Sequence, residues 1–231
     1  MIPESPYANF NRISLYETQG WKNSLINLEK EKPDVWNICN RRQRDYDTHK
    51  NTKNIPIIYD EQLRDTKNAQ TIFFPFFSHL INSLEEKLNS IYGDGIILRL
   101  LITKQEVRSI ITPHTDNLDT FKTSHRVHLP LYTANTGKYG DTLFCIGNVN
   151  HRQSSIKDKH INRRWIQESV PMCVDEMWEI NNSPDDLTIQ HSVINHSNDV
   201  EKIHLIMDWK PKNMVFSFNK KELDKDKETL A

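Results

Sequence analysis

His114, Thr115 and Asp116 stand together at the end of the run RSIITPH (108–114). Residues two apart in an extended chain share a face, so this imidazole and this carboxylate point the same way without help from distant segments. One more imidazole would complete a two-His-one-carboxylate set. Such a set leaves three positions open on an octahedral ion and suits Fe(II) that must bind a cosubstrate and O₂ together. About one His-x-Asp triplet is expected by chance in a chain with ten histidines, so the triplet alone decides nothing. His191, in the extended segment TIQHSVI (188–194), is the candidate third ligand; His196 and His204 are alternatives to it.

Two further places carry charge where apolar strands are expected. Lys202 heads KIHLIMDW (202–209), and an unpaired ammonium inside a strand of that composition is costly unless an anion meets it. A bound dicarboxylate would supply that partner. Arg126 and His128, in SHRVHLPLYT (124–133), share a strand face by the same period of two, and both can donate to anionic oxygens. His204 lies on the face of Lys202 and is retained as a substrate or supporting contact. His151 and His160 fall in a basic stretch and read as solvent-exposed.

These residues need a scaffold of strands. After Gly95, short runs rich in Ile, Leu and Val follow one another at 96–103, 108–114, 126–133, 142–147, 177–180, 188–194, 202–209 and 214–218, separated by polar turns. Before them, Trp21, Leu25 and Leu28 predict a short amphipathic helix within 18–31. Phe73, Phe77, Leu80, Ile81, Leu84 and Leu88 predict a longer helix over 71–88, with Pro75 in its first turn. Residues 40–54 read as loop, and the charged stretch 219–231 as a frayed tail. The expected fold is mainly β with flanking helices, closed or sandwiched, with no βαβ alternation. It reads as one domain over 1–218: a helical support at 1–94 and a β core at 95–218.

Composition narrows the classes. The 231 residues fit one core, 36% are hydrophobic, and the formal net charge of −1 argues against a globally basic nucleic-acid binder. No segment has the apolar length of a membrane span and no secretory signal is evident. The three cysteines at 39, 145 and 173 form neither a disulfide framework nor a zinc ribbon, and suit a cytoplasmic setting. No nucleophile elbow, P-loop or dinucleotide fingerprint occurs.

The ordered pieces IITPHTD (110–116), HRVHLPLYT (125–133), DEMWEINN (175–182), HSVINHS (191–197) and KIHLIMDW (202–209) resemble the aspartyl/asparaginyl β-hydroxylase family, whose relatives include proline cis-4-hydroxylase. An upstream His49-x-x-Thr52-x-x-Ile55 extends the likeness. The resemblance implies a double-stranded β-helix (jelly-roll, cupin-like) and a dioxygenase using Fe(II), with 2-oxoglutarate and O₂ as cosubstrates. It implies that His114, Asp116 and His191 hold the metal, that Lys202 meets the distal carboxylate of 2-oxoglutarate where the family usually has arginine, and that His128 and Arg126 contact cosubstrate or substrate carboxylates. Thr103 matches a hydroxyl residue that assists the distal carboxylate, while Trp178 and Asn182 match a region beside the iron.

The implied reaction is hydroxylation of a C–H in an amino acid, free or peptidyl, with release of succinate and CO₂. Desaturation or cyclisation with the same cofactors, and a non-catalytic cupin-like metal-binding or sensing protein, are the alternatives. Lysine for arginine at 202 replaces a bidentate fork by a point charge. The stretch 148–168 reads as an insertion whose basic part, with Arg152, Lys157, Lys159, Arg163 and Arg164, forms either a solvated loop or a rim for an acidic substrate.

Overall fold

The computed structural model describes residues 9–39, 47–59, 69–116, 123–135, 141–148, 165–181 and 189–212. Ten strands are described: β1 (Phe10–Leu15), β2 (Thr52–Ile58), β3 (Gly95–Gln105), β4 (Ser109–His114), β5 (His125–Tyr132), β6 (Thr142–Asn148), β7 (Ile166–Val170), β8 (Glu176–Ile180), β9 (Ile189–Asn195) and β10 (Lys202–Pro211). They form a six-stranded sheet in the order β1-β8-β5-β10-β3-β2 and a four-stranded sheet in the order β4-β9-β6-β7. Among the described residues every strand pairing is antiparallel. The architecture is the double-stranded β-helix, built of two sheets.

Helices back the larger sheet. In α1 (Gln19–Glu31) the buried residues Trp21, Leu25 and Leu28 recur at four and three positions, giving one apolar stripe. In α3 (Ser78–Tyr92) Ile81, Leu84 and Leu88 do the same, and the helix ends at Gly93, whose positive φ of 80° glycine adopts without strain. The four-residue α2 (Val35–Ile38) adds Val35 and Trp36. Trp21 stacks on Phe77 at 5.6 Å between ring centroids, joining α1 to the entrance of α3. Among the described residues no helix is long and apolar enough to cross a membrane.

Period-two alternation sorts the side chains of β10 and thereby builds the site. Ile203, Leu205, Met207 and Trp209 join the core under the helices. Lys202, His204, Ile206 and Asp208 therefore project from the opposite face, into the space between the sheets. On β5, Val127, Leu129 and Leu131 pack toward the helices, so Arg126 and His128 face inward beside them. On the smaller sheet Ile111, Phe144, Ile146, Val170 and Val193 form an inner apolar layer with Phe10, Met172, Trp178 and Ile180.

Several boundaries differ from the sequence expectations. The helix predicted over 71–88 begins at Ser78, because Phe74–Phe76 forms a separate 3-10 turn in which Phe73 N–H donates to Thr71 Oγ1. The loop expected over 40–54 ends early, since β2 starts at Thr52. Pro56 disguises this strand; its position at a sheet edge makes the missing N–H tolerable. Strand β7 falls at the end of the stretch read as an insertion and carries the polar core QES. The expected strand at 214–218, the tail 219–231 and the basic stretch 151–164 lie outside the described residues.

Candidate metal centre and anion pocket

His114 and His191 are directly opposed across the β4–β9 ladder, and their ring centroids are 4.2 Å apart. Asp116, two residues beyond His114, joins them. One ligand atom from each of the three lies within 4.8 Å of the others, and all three side chains are partly buried. His114 Nδ1 is 2.8 Å from the carbonyl of Thr112. An N–H there must donate to that oxygen, so the Nε2 lone pair is the one presented to the cluster. Asp116 places Oδ1 3.9 Å from His114 Nε2 and Oδ2 3.7 Å from His191 Nε2. Three such donors thus converge, a donor set that fits a hard-to-intermediate divalent ion.

Arg126 anchors this carboxylate. Its Nη1 donates to Asp116 Oδ2, while Nε and Nη2 donate to Asp208 Oδ1 and Oδ2 at 2.8 and 3.0 Å. Arg99 Nη1 approaches Asp208 Oδ2 at 3.5 Å from the other side. Asp208 is 1% exposed and Arg99 7%, so an unbalanced charge here would be expensive and the two arginines and two aspartates neutralise one another. Burial works against the Arg126 charge, but Asp208 and Asp116 outweigh it and raise the guanidinium pKa above its ordinary value. Expected as a contact for cosubstrate or substrate, Arg126 here directs its donors at the chain's own carboxylates.

Phe144 links the triad to a second polar group. Its ring stacks near His191 at 5.9 Å, meets His128 edge-on at 5.0 Å and lies 5.6 Å from Lys202 Nζ. His128 in turn lies 6.0 Å from His204 between ring centroids. Lys202 is 6% exposed, with no carboxylate in ion-pair reach among the described residues. Burial lowers its pKa from 10.5 to about 7. Burial, reinforced by Lys202, likewise holds His128 and His204 well below the usual imidazole range, so both are neutral at pH 7. His128 Nδ1 and both ring nitrogens of His204 find no hydrogen-bond partner among the described residues.

The remaining expected residues are distributed as follows. Thr103 is buried at the inner face of β3, opposite His204, and its hydroxyl donates to Asn54 Oδ1 at 2.8 Å. Trp178 packs in the inner apolar layer and its indole N–H donates to Glu176 Oε2. His196 is exposed at the end of β9 and does not join the triad. Asn182 lies outside the described residues.

Four contributors escaped the sequence reading. Asp208 was legible, being on the same period-two face as Lys202 and His204. Arg99 was legible too, as a lone charge inside IILRLLIT. Phe144 carried no distinguishing signal. His49 comes from a short turn (Asp47–His49) beside β4 and sets its ring edge against His114 at 5.2 Å; the motif containing it extends the family likeness without assigning this histidine a role.

No protein-family model matches the chain, and no curated protein does. Solved structures do. The chain is similar to HygX from Streptomyces hygroscopicus, solved with nickel and 2-oxoglutarate bound, at a TM-score of 0.51 and 11% identity over 90% of this chain and 84% of that one. It is also similar to the non-heme monooxygenase ThoJ in its apo form, at a TM-score of 0.51 and 10% identity over 88% and 74% of the two chains. At these identities the likeness establishes a shared fold.

Proposed function

We propose that this chain is an Fe(II)- and 2-oxoglutarate-dependent oxygenase that hydroxylates a C–H of an amino acid, free or within a peptide. The observation that carries the proposal is one inner face holding both a His-Asp-His cluster and, beyond Phe144, a buried lysine that meets no carboxylate among the described residues. A metal explains the first group and a dicarboxylate the second; a cosubstrate long enough to reach both explains their proximity. That the chain shares its fold with a protein binding nickel and 2-oxoglutarate supports this reading, as does the resemblance of its motifs to the aspartyl/asparaginyl β-hydroxylases.

His114, Asp116 and His191 would hold the ion, and when bound it supplies the O₂ activation that no side chain can. Arg126 grips one region of the Asp116 carboxylate and fixes its rotamer, and Asp208 fixes Arg126 in turn. Lys202 meets the distal carboxylate of 2-oxoglutarate with a full charge, while His128, neutral and midway, offers a ring N–H toward the end nearer the ion. The inner layer of Phe144, Ile111, Val193 and Trp178 excludes water from the reacting side. The segment before Gly95 contributes two strands of the larger sheet and the helices that back it, and is read with the β core as one domain.

Succinate release tests the proposal. Purified protein with Fe(II), ascorbate, O₂ and a panel of amino acids and peptides is expected to convert 2-oxoglutarate to succinate with at least one co-substrate, yielding a product heavier by one oxygen. Binding of metal and 2-oxoglutarate without succinate from any panel member would favour a sensing module. A product lacking the added oxygen would indicate desaturation or cyclisation.

A further inference from the structure

His204 is the most conspicuous side chain that the foregoing chemistry leaves without work. It is 1% exposed, yet neither ring nitrogen has a partner among the described residues. A neutral imidazole carries one donor and one acceptor, and leaving both buried and empty destabilises the folded chain unless a ligand completes them. Its cross-strand neighbours do not serve: Pro130 on β5 has no N–H, and Thr103 on β3 gives its hydroxyl proton to Asn54. Lys202 stands two residues earlier on the same face, about 7 Å away along the strand. Its long side chain reaches back over Phe144, toward the His128 ring that His204 also faces.

A lone ammonium binds a carboxylate as a point charge and does not fix its plane. A second donor on the same face, itself uncharged, converts that into a two-point contact. Resting on the 2-oxoglutarate reading above, we propose that His204 is a specificity-determining residue that donates its ring N–H to the distal carboxylate beside Lys202. The pocket then selects a 2-oxo dicarboxylate over a 2-oxo monocarboxylate through two residues of one strand. Thr103, opposite His204, gives its hydroxyl proton to Asn54 Oδ1.

The test uses the full chain loaded with redox-inert Mn(II), titrated calorimetrically with 2-oxoglutarate and separately with 2-oxobutyrate. His204→Ile fills the slot with an apolar side chain; His204→Gln keeps a donor; Lys202→Met removes the charge. His204→Ile is expected to weaken 2-oxoglutarate about tenfold and leave 2-oxobutyrate unchanged, whereas His204→Gln stays within about threefold of wild type. Wild-type affinity for 2-oxoglutarate in His204→Ile would overturn the inference, as would an equal loss for both acids, which marks a merely structural role. If His204→Ile is inert while Lys202→Met is weakened, only the role of His204 fails. If the wild-type protein binds Mn(II) but not 2-oxoglutarate, the cosubstrate reading fails and takes this inference with it.

Discussion

Lys202→Met is expected to make the ligand-free protein more stable and, at the same time, unable to respond to 2-oxoglutarate. Burial holds the Lys202 pKa at about 7 against 10.5 in an exposed chain. Between those values the unfolded chain binds a proton that the folded one does not, so stability rises with pH across that window and the deficit is greatest at and below pH 7. At roughly 1.4 kcal/mol per pKa unit, the charge costs the folded state on the order of 4 kcal/mol at pH 7. Methionine matches the stem in length and carries no charge, so the variant recovers much of this. For a chain of this size the gain corresponds to a melting temperature higher by on the order of 10 °C.

The assay is thermal unfolding of metal-free protein at pH 7 and pH 9, then of Mn(II)-loaded protein with and without 2-oxoglutarate. The wild type is expected to melt higher at pH 9 than at pH 7, and the variant to lose most of that difference. Saturating 2-oxoglutarate, at about 100 times its Kd, stabilises the wild type by about 2.7 kcal/mol through mass action and the variant far less. A variant that melts below wild type at pH 7, or that gains as much from 2-oxoglutarate, would refute the assignment of Lys202 as a buried cation awaiting an anion.

Three other outcomes follow from the same geometry. Because 2-oxoglutarate needs the ammonium form, its affinity is expected to fall as pH rises above about 7, with uptake of a proton on binding; calorimetry in buffers of different ionisation enthalpy reads that proton, and its absence would contradict the role. Arg126→Met leaves Asp208 and Asp116 without their shared partner, and is expected to destabilise the protein by about 3 kcal/mol and weaken metal binding at least tenfold, measured by denaturant unfolding and metal titration. Gly147→Ala would drive a Cβ into the carbonyl and indole of Trp165, so a loss of about 2 kcal/mol is expected by urea unfolding, with metal affinity unchanged.

Much of the site was legible because β-strand periodicity is a local rule. Arg126 with His128, and Lys202 with His204, each sit two apart on one strand and face inward as that spacing requires, while Asp116 joins His114 from just beyond the end of β4. The register that sets His114 against His191 was not legible, since β4 and β9 are distant in sequence and their pairing shifts register between Ile111 and His114. Nor was the direction of Arg126's charge: sequence shows an inward guanidinium but not that Asp208, from a neighbouring strand, will meet it. β1 and β2 escaped for a local reason, because a bulge breaks the alternation in one and proline interrupts the other.

The central claim is that one inner face binds a metal through His114, Asp116 and His191 and then binds 2-oxoglutarate on it. Anaerobic calorimetry with Fe(II) followed by 2-oxoglutarate addresses both halves in one cell. One Fe(II) per chain is expected, with 2-oxoglutarate binding at one equivalent only after the metal, and His114→Ala or His191→Ala is expected to lose both events. Undiminished Fe(II) binding in both alanine variants, or no 2-oxoglutarate binding to the iron-loaded wild type, would contradict the account.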